Sequence, residues 1–240
     1  MRVFIIFSFM LLFLVLFFAI LCNSSNAKID PAFCMGAWLL DEDGNDITAN
    51  GYHCIINGKP KFVDGKFGKA MDCDGTDDIA DAGDQDGLDV GPENFLVVSW
   101  LKCAKYDPGD WEAQIIYKFD HTAPRHGYLL AVRGSLDAGN KNKPVFIFGL
   151  GDASGIHLFG TKAINDDNWH HLAVTVDRAG SMIMYRDGEI EAQMSIVAYA
   201  KQDENNSKEF TIGSEKGVPS RSIKGTIGEV ALFKSILLPI

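Results

Sequence analysis

Past residue 30, the chain is a succession of short apolar or alternating segments, and each segment is ended by Gly, Asp, Asn or Pro. Segments this short, bounded by turn-forming residues, are typical of β-strands, whereas most helices need a longer periodic run. No segment shows a convincing helical period. The sequence therefore predicts an all-β chain with strands at 36–40, 69–73, 95–103, 114–119, 127–133, 144–150, 156–160, 169–177, 181–186, 189–195, 209–212 and 226–233.

Two of these segments indicate how the strands are layered. Residues 169–177 alternate between aliphatic side chains on one face and polar or small side chains on the other, as in a strand with one face in a core. The strand after it ends at Asp187 and Gly188, a dipeptide that favours a tight hairpin. Residues 145–148 are apolar on both faces, as in a strand between two layers. A two-sheet antiparallel sandwich fits this pattern better than a single-layer barrel, which would alternate more regularly.

The first residues predict export. Arg2 precedes the uncharged segment 3–21, and a polar segment follows it. Ser25 and Ala27 provide the small residues that signal peptidase requires, so residues 1–27 are predicted to be a signal peptide and the mature chain to start at Lys28. The alternative is an uncleaved anchor, because the apolar segment is long enough to span a bilayer. The predicted location is the outside of the cell, its surface or the periplasm, with membrane contact only through this segment.

The composition limits the number of domains and the classes of partner that are possible. No linker and no repeat interrupts residues 28–240, which are therefore predicted to form a single domain. The formal net charge is −10, and no basic cluster with interleaved aromatic residues is visible. A polyanion would be repelled at long range, so nucleic acid is excluded as a partner.

Four cysteines remain after the leader, and an even number in an exported chain predicts one or two disulfides. The pairing among Cys34, Cys54, Cys73 and Cys103 stays open. Cys73 lies in a predicted strand and serves equally well as a buried thiol. None of the four has the CxxC spacing of a zinc or redox site.

Several motifs, in the same order along the chain, resemble the bacterial laminin-G-like domains of the concanavalin A-like lectin/glucanase family. Gly228 departs from the pattern, because an Asp is more usual there. The resemblance implies a jelly-roll sandwich, in a family whose members include lectin-like, adhesive and cell-surface modules as well as domains appended to enzymes. The segments that carry it are GAWLLDEDG at 36–44, VDGKFGKAM at 63–71, DGTDD at 74–78, VSWLK at 98–102, WHHLAVT at 169–175, YRDG at 185–188 and KGTIGEV at 224–230.

The sequence predicts that the chain is not an enzyme. A glucanase on this fold needs two carboxylates on one strand as nucleophile and acid, in the motif Glu-x-Asp-x-x-Glu. Neither 87–91 nor 188–192 supplies that set. His170 and His171 are adjacent on a predicted strand, so their side chains point to opposite faces and do not share one site.

Two acidic turns, at 41–46 and 72–78, have the oxygen-rich composition that Ca²⁺ requires. The candidate ligands are Asp41, Asp43, Asp74 and Asp77, and the family resemblance supports a calcium ion as cofactor. The alternative is that both turns are simply solvated loops.

Trp111, which follows an acidic Pro-Gly loop, is the candidate ligand-binding residue, because sugar sites combine an exposed aromatic platform with polar groups on loops. The alternative is a lid on the core. The predicted function is a secreted or cell-surface binding module that recognises a glycan or an extracellular or surface protein through rim loops. Two alternatives stay open, namely an adhesive or structural domain without a small-ligand site and a non-catalytic part of a larger exported enzyme.

Overall fold

The computed structural model describes residues 31–104, 109–151 and 155–235, and the predicted signal peptide lies outside these residues. Helical structure in the described part is limited to 3-10 turns at Pro31–Phe33, Asp86–Leu88, Val197–Tyr199 and Pro219–Arg221. None of the helices in these ranges has the length and apolar character needed to cross a bilayer. The strands are β1 (Cys34–Trp38), β2 (Ile55–Asn57), β3 (Lys61–Asp64), β4 (Lys69–Asp74), β5 (Ile79–Gly83), β6 (Phe95–Lys102), β7 (Glu112–Phe119), β8 (Gly127–Arg133), β9 (Pro144–Phe148), β10 (Ile156–Phe159), β11 (Trp169–Val176), β12 (Ser181–Arg186), β13 (Glu189–Ser195), β14 (Phe210–Ile212) and β15 (Lys224–Phe233).

The strands form two antiparallel sheets that pack face to face as a jelly-roll sandwich. The eight-stranded sheet has the order β13-β12-β11-β6-β15-β4-β3, with β1 also paired to β15. The seven-stranded sheet has the order β10-β9-β8-β7-β14-β5-β2. The predicted all-β, two-sheet fold is therefore confirmed.

Alternation along the strands builds the core between the sheets. On β11, Leu172, Val174 and Val176 are fully buried in the main hydrophobic cluster, as the sequence pattern predicted. Trp38 of β1 stacks on Phe210 of β14 with ring centroids 4.7 Å apart, which joins the two sheets. Each large apolar side chain that is fully buried contributes about 1.5–3 kcal/mol to folding.

Most predicted strands are present within a few residues of their expected ends, but β2, β3 and β5 were not predicted. These three are short, and β5 reads Ile-Ala-Asp-Ala-Gly, which has one β-branched residue and no aromatic residue to mark it as a strand. The predicted hairpin turn is confirmed. Asp187 has φ 55° and Gly188 has φ 88°, the left-handed conformations of a type I′ turn between β12 and β13.

The apolar residues on both faces of β9 predict a position between two layers. In the structure, the outward-facing residues of β9 are buried for a different reason. Phe146 faces the main core, but Val145 and Ile147 face outward and are still buried. They belong to a second apolar cluster on the outer face of the seven-stranded sheet, together with Leu129 and Ala131 of β8. Long side chains and loops, rather than a third sheet, cover this cluster.

The segment 197–209 crosses the edge of the sandwich and is tied down by buried cations. The ammonium group of Lys118 is fully buried and lies 3.0 Å from Asp84 and 3.1 Å from Asp89. It also donates to the carbonyl of Lys208 at 2.8 Å. Arg178 donates from Nη2 to the carbonyl of Tyr199 at 3.0 Å. Because buried charges are costly unless they are paired, these contacts fix the path of the segment.

The disulfide prediction is wrong for the structure, in which Cys34, Cys54, Cys73 and Cys103 are free thiols. Cys73 of β4 lies opposite Gly225 of β15. On the other side of β15, Lys102 of β6 pairs with Thr226, so the residue after it, Cys103, lies beside Gly225. The two cysteines are therefore two strand spacings apart, roughly 9–10 Å. A disulfide requires its Cα atoms to lie within about 7 Å. Burial raises the pKa of the Cys103 thiol to about 12, so it stays protonated.

Candidate functional site

A groove of about 480 Å³ lies on the outer face of the seven-stranded sheet. Strands β7, β8, β9 and β10 supply its floor, and the 3-10 turn Pro219–Arg221 supplies one wall. Its volume is within the range of small-molecule sites, roughly 300–1,000 Å³. It is the natural place to look for ligand binding on this chain.

The floor of the groove is apolar because alternate residues of its strands point outward. Phe119 of β7 and Ile147 of β9 line the groove directly. Tyr117, Leu129 and Ala131 complete the same buried cluster. These floor residues are almost fully buried, so polar recognition must come from the side chains that stand around them.

Trp111 forms one wall at the end of the groove where β7 begins. Its side chain is 47% exposed, and its ring lies 5.2 Å from the guanidinium carbon of Arg133. The same guanidinium lies 5.6 Å from the ring centroid of Phe159, so Arg133 is held between two aromatic rings. The carbonyl of Trp111 accepts a hydrogen bond from the backbone N–H of Gly134 at 2.7 Å. Trp111 is thus fixed in place with much of its ring open to solvent.

Glu112 lies beneath the rim between two arginines. Its side chain is nearly fully buried, and its Oε2 accepts a hydrogen bond from Nη1 of Arg133 at 2.8 Å. Its Oε1 lies 3.8 Å from Nε of Arg221. Burial raises the pKa of the Glu112 carboxyl, and the two arginines oppose that shift. The carboxylate therefore holds Arg133 by a hydrogen bond and lies close to Arg221.

His121 stands where β7 ends. Its ring stacks near Tyr117 at 6.0 Å and meets Phe119 edge-on at 5.0 Å. Burial lowers its pKa to about 4, and the nearby charges of Arg221 and Arg125 lower it further. The imidazole is therefore neutral near pH 7, and it offers one hydrogen-bond donor and one acceptor.

The groove combines a half-exposed indole ring, an apolar floor, planar N–H donors and a neutral imidazole. These groups suit a ligand that has both an apolar face and many hydroxyls. Among its described lining residues, Glu112 is the single carboxylate, and it is held by arginines.

The structure places Trp111 at this groove, and its role as a ligand contact stays a prediction. The other lining residues were missed by sequence reasoning. Arg133 ends a predicted strand, which is a weak signal for a position at the rim. Arg221 and His121 lie in loops that come together only through the fold, so no local pattern identifies them.

The four candidate calcium ligands lie in two separate turns. Oδ1 of Asp41 accepts a hydrogen bond from the backbone N–H of Lys69, the first residue of β4, at 2.6 Å. Asp74 is the last residue of β4, so the two acids lie roughly 16 Å apart along the strand. Asp43 accepts from the N–H of Asn45 at 3.0 Å, and Asp77 belongs to the turn after β4. In the three described ranges, no group of three or more His, Cys, Asp or Glu residues is arranged to hold a metal ion. Calcium stays a prediction.

Two buried acids that the sequence did not single out organise these turns. Asp46 accepts hydrogen bonds from the backbone N–H groups of Ala37 at 3.0 Å and Tyr52 at 2.9 Å. Asp78 accepts from the N–H groups of Lys59 at 2.8 Å and Asp74 at 2.9 Å. Two of the acids in these turns therefore accept hydrogen bonds from the backbone of the loops and stabilise it.

Several solved structures of binding domains share this architecture. The binding domain of Paraclostridial Mosquitocidal Protein 1 superposes with a TM-score of 0.70 at 12% identity, over 87% of this chain and 50% of that one. Domain 4 of AbnA, an extracellular arabinanase of family GH43 from Geobacillus stearothermophilus, in complex with arabinotriose, gives 0.62 at 19% identity, over 86% of this chain and 94% of that one. The ligand-binding domain of botulinum neurotoxin serotype D, in complex with N-acetylneuraminic acid, superposes with a TM-score of 0.61 at 14% identity. That superposition covers 87% of this chain and 49% of the toxin domain. The chain spans about half the length of these toxin domains.

Sequence comparison assigns the family. No curated protein matches the chain significantly. The profile of the concanavalin A-like lectin/glucanases superfamily, Laminin_G_3, matches residues 74–239, which is more than half of the sequence. This match agrees with the sandwich of antiparallel sheets and with the order of motifs along the chain. The protein therefore belongs to the Laminin_G_3 family of the concanavalin A-like lectin/glucanases superfamily.

Proposed function

We propose that the protein is an exported, non-catalytic carbohydrate-binding module and that the groove on the seven-stranded sheet is its binding site. The observation that carries the proposal is Trp111, half exposed and fixed against Arg133 at the wall of an open groove. A sugar ring has an apolar face of C–H groups and an edge of hydroxyls. The indole ring offers a partner for that face, and neighbouring N–H donors offer partners for the edge.

Preorganisation supports this function. Arg133 is held by Glu112 and by two rings, and the backbone carbonyl of Trp111 accepts a hydrogen bond from Gly134. Groups that are already ordered lose little conformational entropy when a ligand binds, and this improves affinity for a weakly interacting ligand.

The structural neighbours are consistent with the proposal. Domain 4 of AbnA was solved with arabinotriose, and this chain matches nearly all of that domain. The serotype D toxin domain was solved with N-acetylneuraminic acid, and this chain matches about half of it. These ligands belong to those two proteins. At such low sequence identity, the similarity shows only that the fold is shared. They show that this architecture occurs in domains that bind glycans.

The remaining parts of the proposal come from the sequence. Residues 1–27 direct export, and residues 28–240 act as one module outside the cell, at its surface or in the periplasm. Calcium at the acidic turns is a subsidiary part of the proposal, since the groove contains none of the candidate ligands. The absence of the glucanase motif supports binding without catalysis.

Calorimetric titration of the exported protein with a panel of oligosaccharides tests the function. We expect Trp111→Ala to weaken binding of the best ligand by at least about tenfold, which corresponds to roughly 1.4 kcal/mol. Phe33→Ala is the matched control, because Phe33 is 48% exposed but lies away from the groove. We expect that variant to bind like the wild type.

Two results would overturn the proposal. One is equal binding by the wild type and Trp111→Ala. The other is the absence of binding to every oligosaccharide, accompanied by self-association that depends on protein concentration. That second result would favour the adhesive alternative.

A further inference from the structure

The charges around the groove are paired with one another. Arg133 donates from Nε to Asp137 at 3.1 Å and from Nη1 to Glu112 at 2.8 Å. Arg221 donates from Nη1 to Glu215 at 2.7 Å. Two nitrogens of Arg133 and one nitrogen of Arg221 therefore already donate to carboxylates of the same chain.

The balance of these charges is not positive, although three arginines line the groove. Arg125, Arg133 and Arg221 carry the positive charge of the lining. Four carboxylates lie against the latter two arginines, namely those of Glu112, Asp137, Glu215 and Asp110. The whole chain adds a formal net charge of −10. An anionic ligand therefore meets no net attraction here.

Displacing an internal carboxylate is costly. A ligand carboxylate that took the place of Glu112 on Arg133 would leave the Glu112 side chain buried without its partner. Breaking one side of a buried ion pair is strongly unfavourable, because the remaining charge loses its compensation in a poorly solvated place. A neutral hydroxyl avoids this cost, since it only has to accept a hydrogen bond from an N–H that the carboxylates leave unused.

Such donors remain on both arginines. None of the described residues accepts a hydrogen bond from Nη2 of Arg133 or of Arg221. A guanidinium carries five N–H donors in a plane, so each arginine keeps an edge that can donate to a sugar oxygen.

We propose that the groove selects uncharged glycans and that Glu112 determines this specificity, because its buried carboxylate pairs with Arg133 and lies close to Arg221. The inference rests on the carbohydrate-binding function proposed above and names the class of its ligand. Glu112 acts as a positioning residue, because it lies beneath the rim and works through Arg133 and Arg221. Without it, the three arginines would face three carboxylates instead of four, so an acidic sugar would be repelled less.

The test compares neutral and acidic probes. The neutral probes are arabinotriose and gluco-, galacto- and manno-oligosaccharides, and the acidic probes are sialyllactose and a galacturonan trisaccharide. We expect the wild type to bind a neutral probe at least about tenfold more tightly than any acidic probe. Binding of the neutral probe is expected to change by less than about twofold between low ionic strength and about 0.5 M salt, because no net charge attraction is screened.

A substitution should reverse the preference. Glu112→Gln is expected to improve binding of the acidic probes by about tenfold at low salt, with the gain lost at about 0.5 M salt. Glu93→Gln changes the net charge equally at an exposed position outside the groove, and it is expected to change neither preference. If Glu112→Gln fails to fold, Asp137→Asn provides a second test, because it removes the carboxylate that pairs with Nε of Arg133. It is expected to shift binding in the same direction by a smaller factor.

The outcomes separate the two proposals. Binding of an acidic probe by the wild type as tightly as a neutral one, with strong salt dependence, overturns the inference and leaves the carbohydrate-binding function standing. Failure of every probe to bind overturns the function and the inference together. An unchanged preference in folded Glu112→Gln and Asp137→Asn variants overturns the role assigned to Glu112.

Discussion

The two sheets of the sandwich have very different outer faces, although both faces carry a tryptophan. On the seven-stranded sheet, Trp111 is 47% exposed at the wall of the groove. On the eight-stranded sheet, Trp100 is 8% exposed. The turn between β3 and β4 covers it, with the ring of Phe67 5.9 Å away and Nζ of Lys66 5.1 Å from its centroid. The same alternation produces both faces, and the connecting loops decide which aromatic ring stays open.

The buried acids of the two faces also have different charged neighbours. Glu112 on the groove side lies between two arginines. On the other side, Glu229 lies at an irregularity of β15, between Gly228 and Ala231, and feels the charge of Asp41. Burial and then Asp41 raise the pKa of the Glu229 carboxyl to about 8. Acids are positioned by cations at the groove, whereas the covered face keeps an acid protonated near neutral pH.

Exchanging each tryptophan for alanine should separate stability from binding. Trp100→Ala removes a buried ring, and we expect the free energy of unfolding to fall by about 3 kcal/mol or more. Trp111→Ala removes an exposed ring, and the expected loss of stability is under about 1 kcal/mol. Chemical denaturation of both variants provides the measurement. Equal destabilisation would show that Trp111 supports the core rather than the groove.

Glu229→Gln should stabilise the protein in a pH-dependent way. The folded-state pKa of about 8 lies above the usual glutamate pKa of 4.5, so the folded state retains a proton that the unfolded state releases. Stability is therefore lost as pH rises from about 4.5 to about 8, and the loss is complete above that range. Each pKa unit corresponds to roughly 1.4 kcal/mol, and Glu229 keeps some contact with water, so we expect a gain of about 3 kcal/mol at pH 9.

The control for this prediction is Glu42→Gln, which changes the same charge at an exposed position of the turn that contains Asp41. Urea denaturation at pH 4 and pH 9 measures both variants. The gain from Glu229→Gln should be present at pH 9 and nearly absent at pH 4. A gain that does not vary with pH would mean that the side chain, and not its ionisation, sets the effect.

The sequence predicted the fold better than the site, for physical reasons that particular residues show. Strand β11 was predicted because its core face is continuous in sequence, at Leu172, Val174 and Val176. Strand β5 was missed because Asp81 and Gly83 interrupt its apolar pattern. Trp111 was predicted because a loop aromatic is a local signal. Arg221 was missed because its pairing with Glu112 joins segments far apart in sequence, and only the packing of the loops reveals it.

The smallest expected effect concerns calcium at the turn that lies against the covered face. Asp41 is already engaged with the N–H of Lys69 and is separated from Asp74 by the length of β4, so an ion could use only one turn at a time. Such a site has few protein ligands, and we expect affinity no better than about millimolar. When the calcium concentration equals the dissociation constant, stability rises by about 0.4 kcal/mol. That change corresponds to a rise in Tm of about 1–2 °C for a chain of this size.

Thermal unfolding with calcium, with magnesium and with a chelator measures this effect. Loss of the rise in Asp41→Asn but not in Asp74→Asn would assign the ion to the first turn, and the reverse would assign it to the second. Equal melting temperatures in calcium and chelator would leave both turns as loops closed by hydrogen bonds. In that case the acidic residues of both turns stabilise the fold through the hydrogen bonds that they accept.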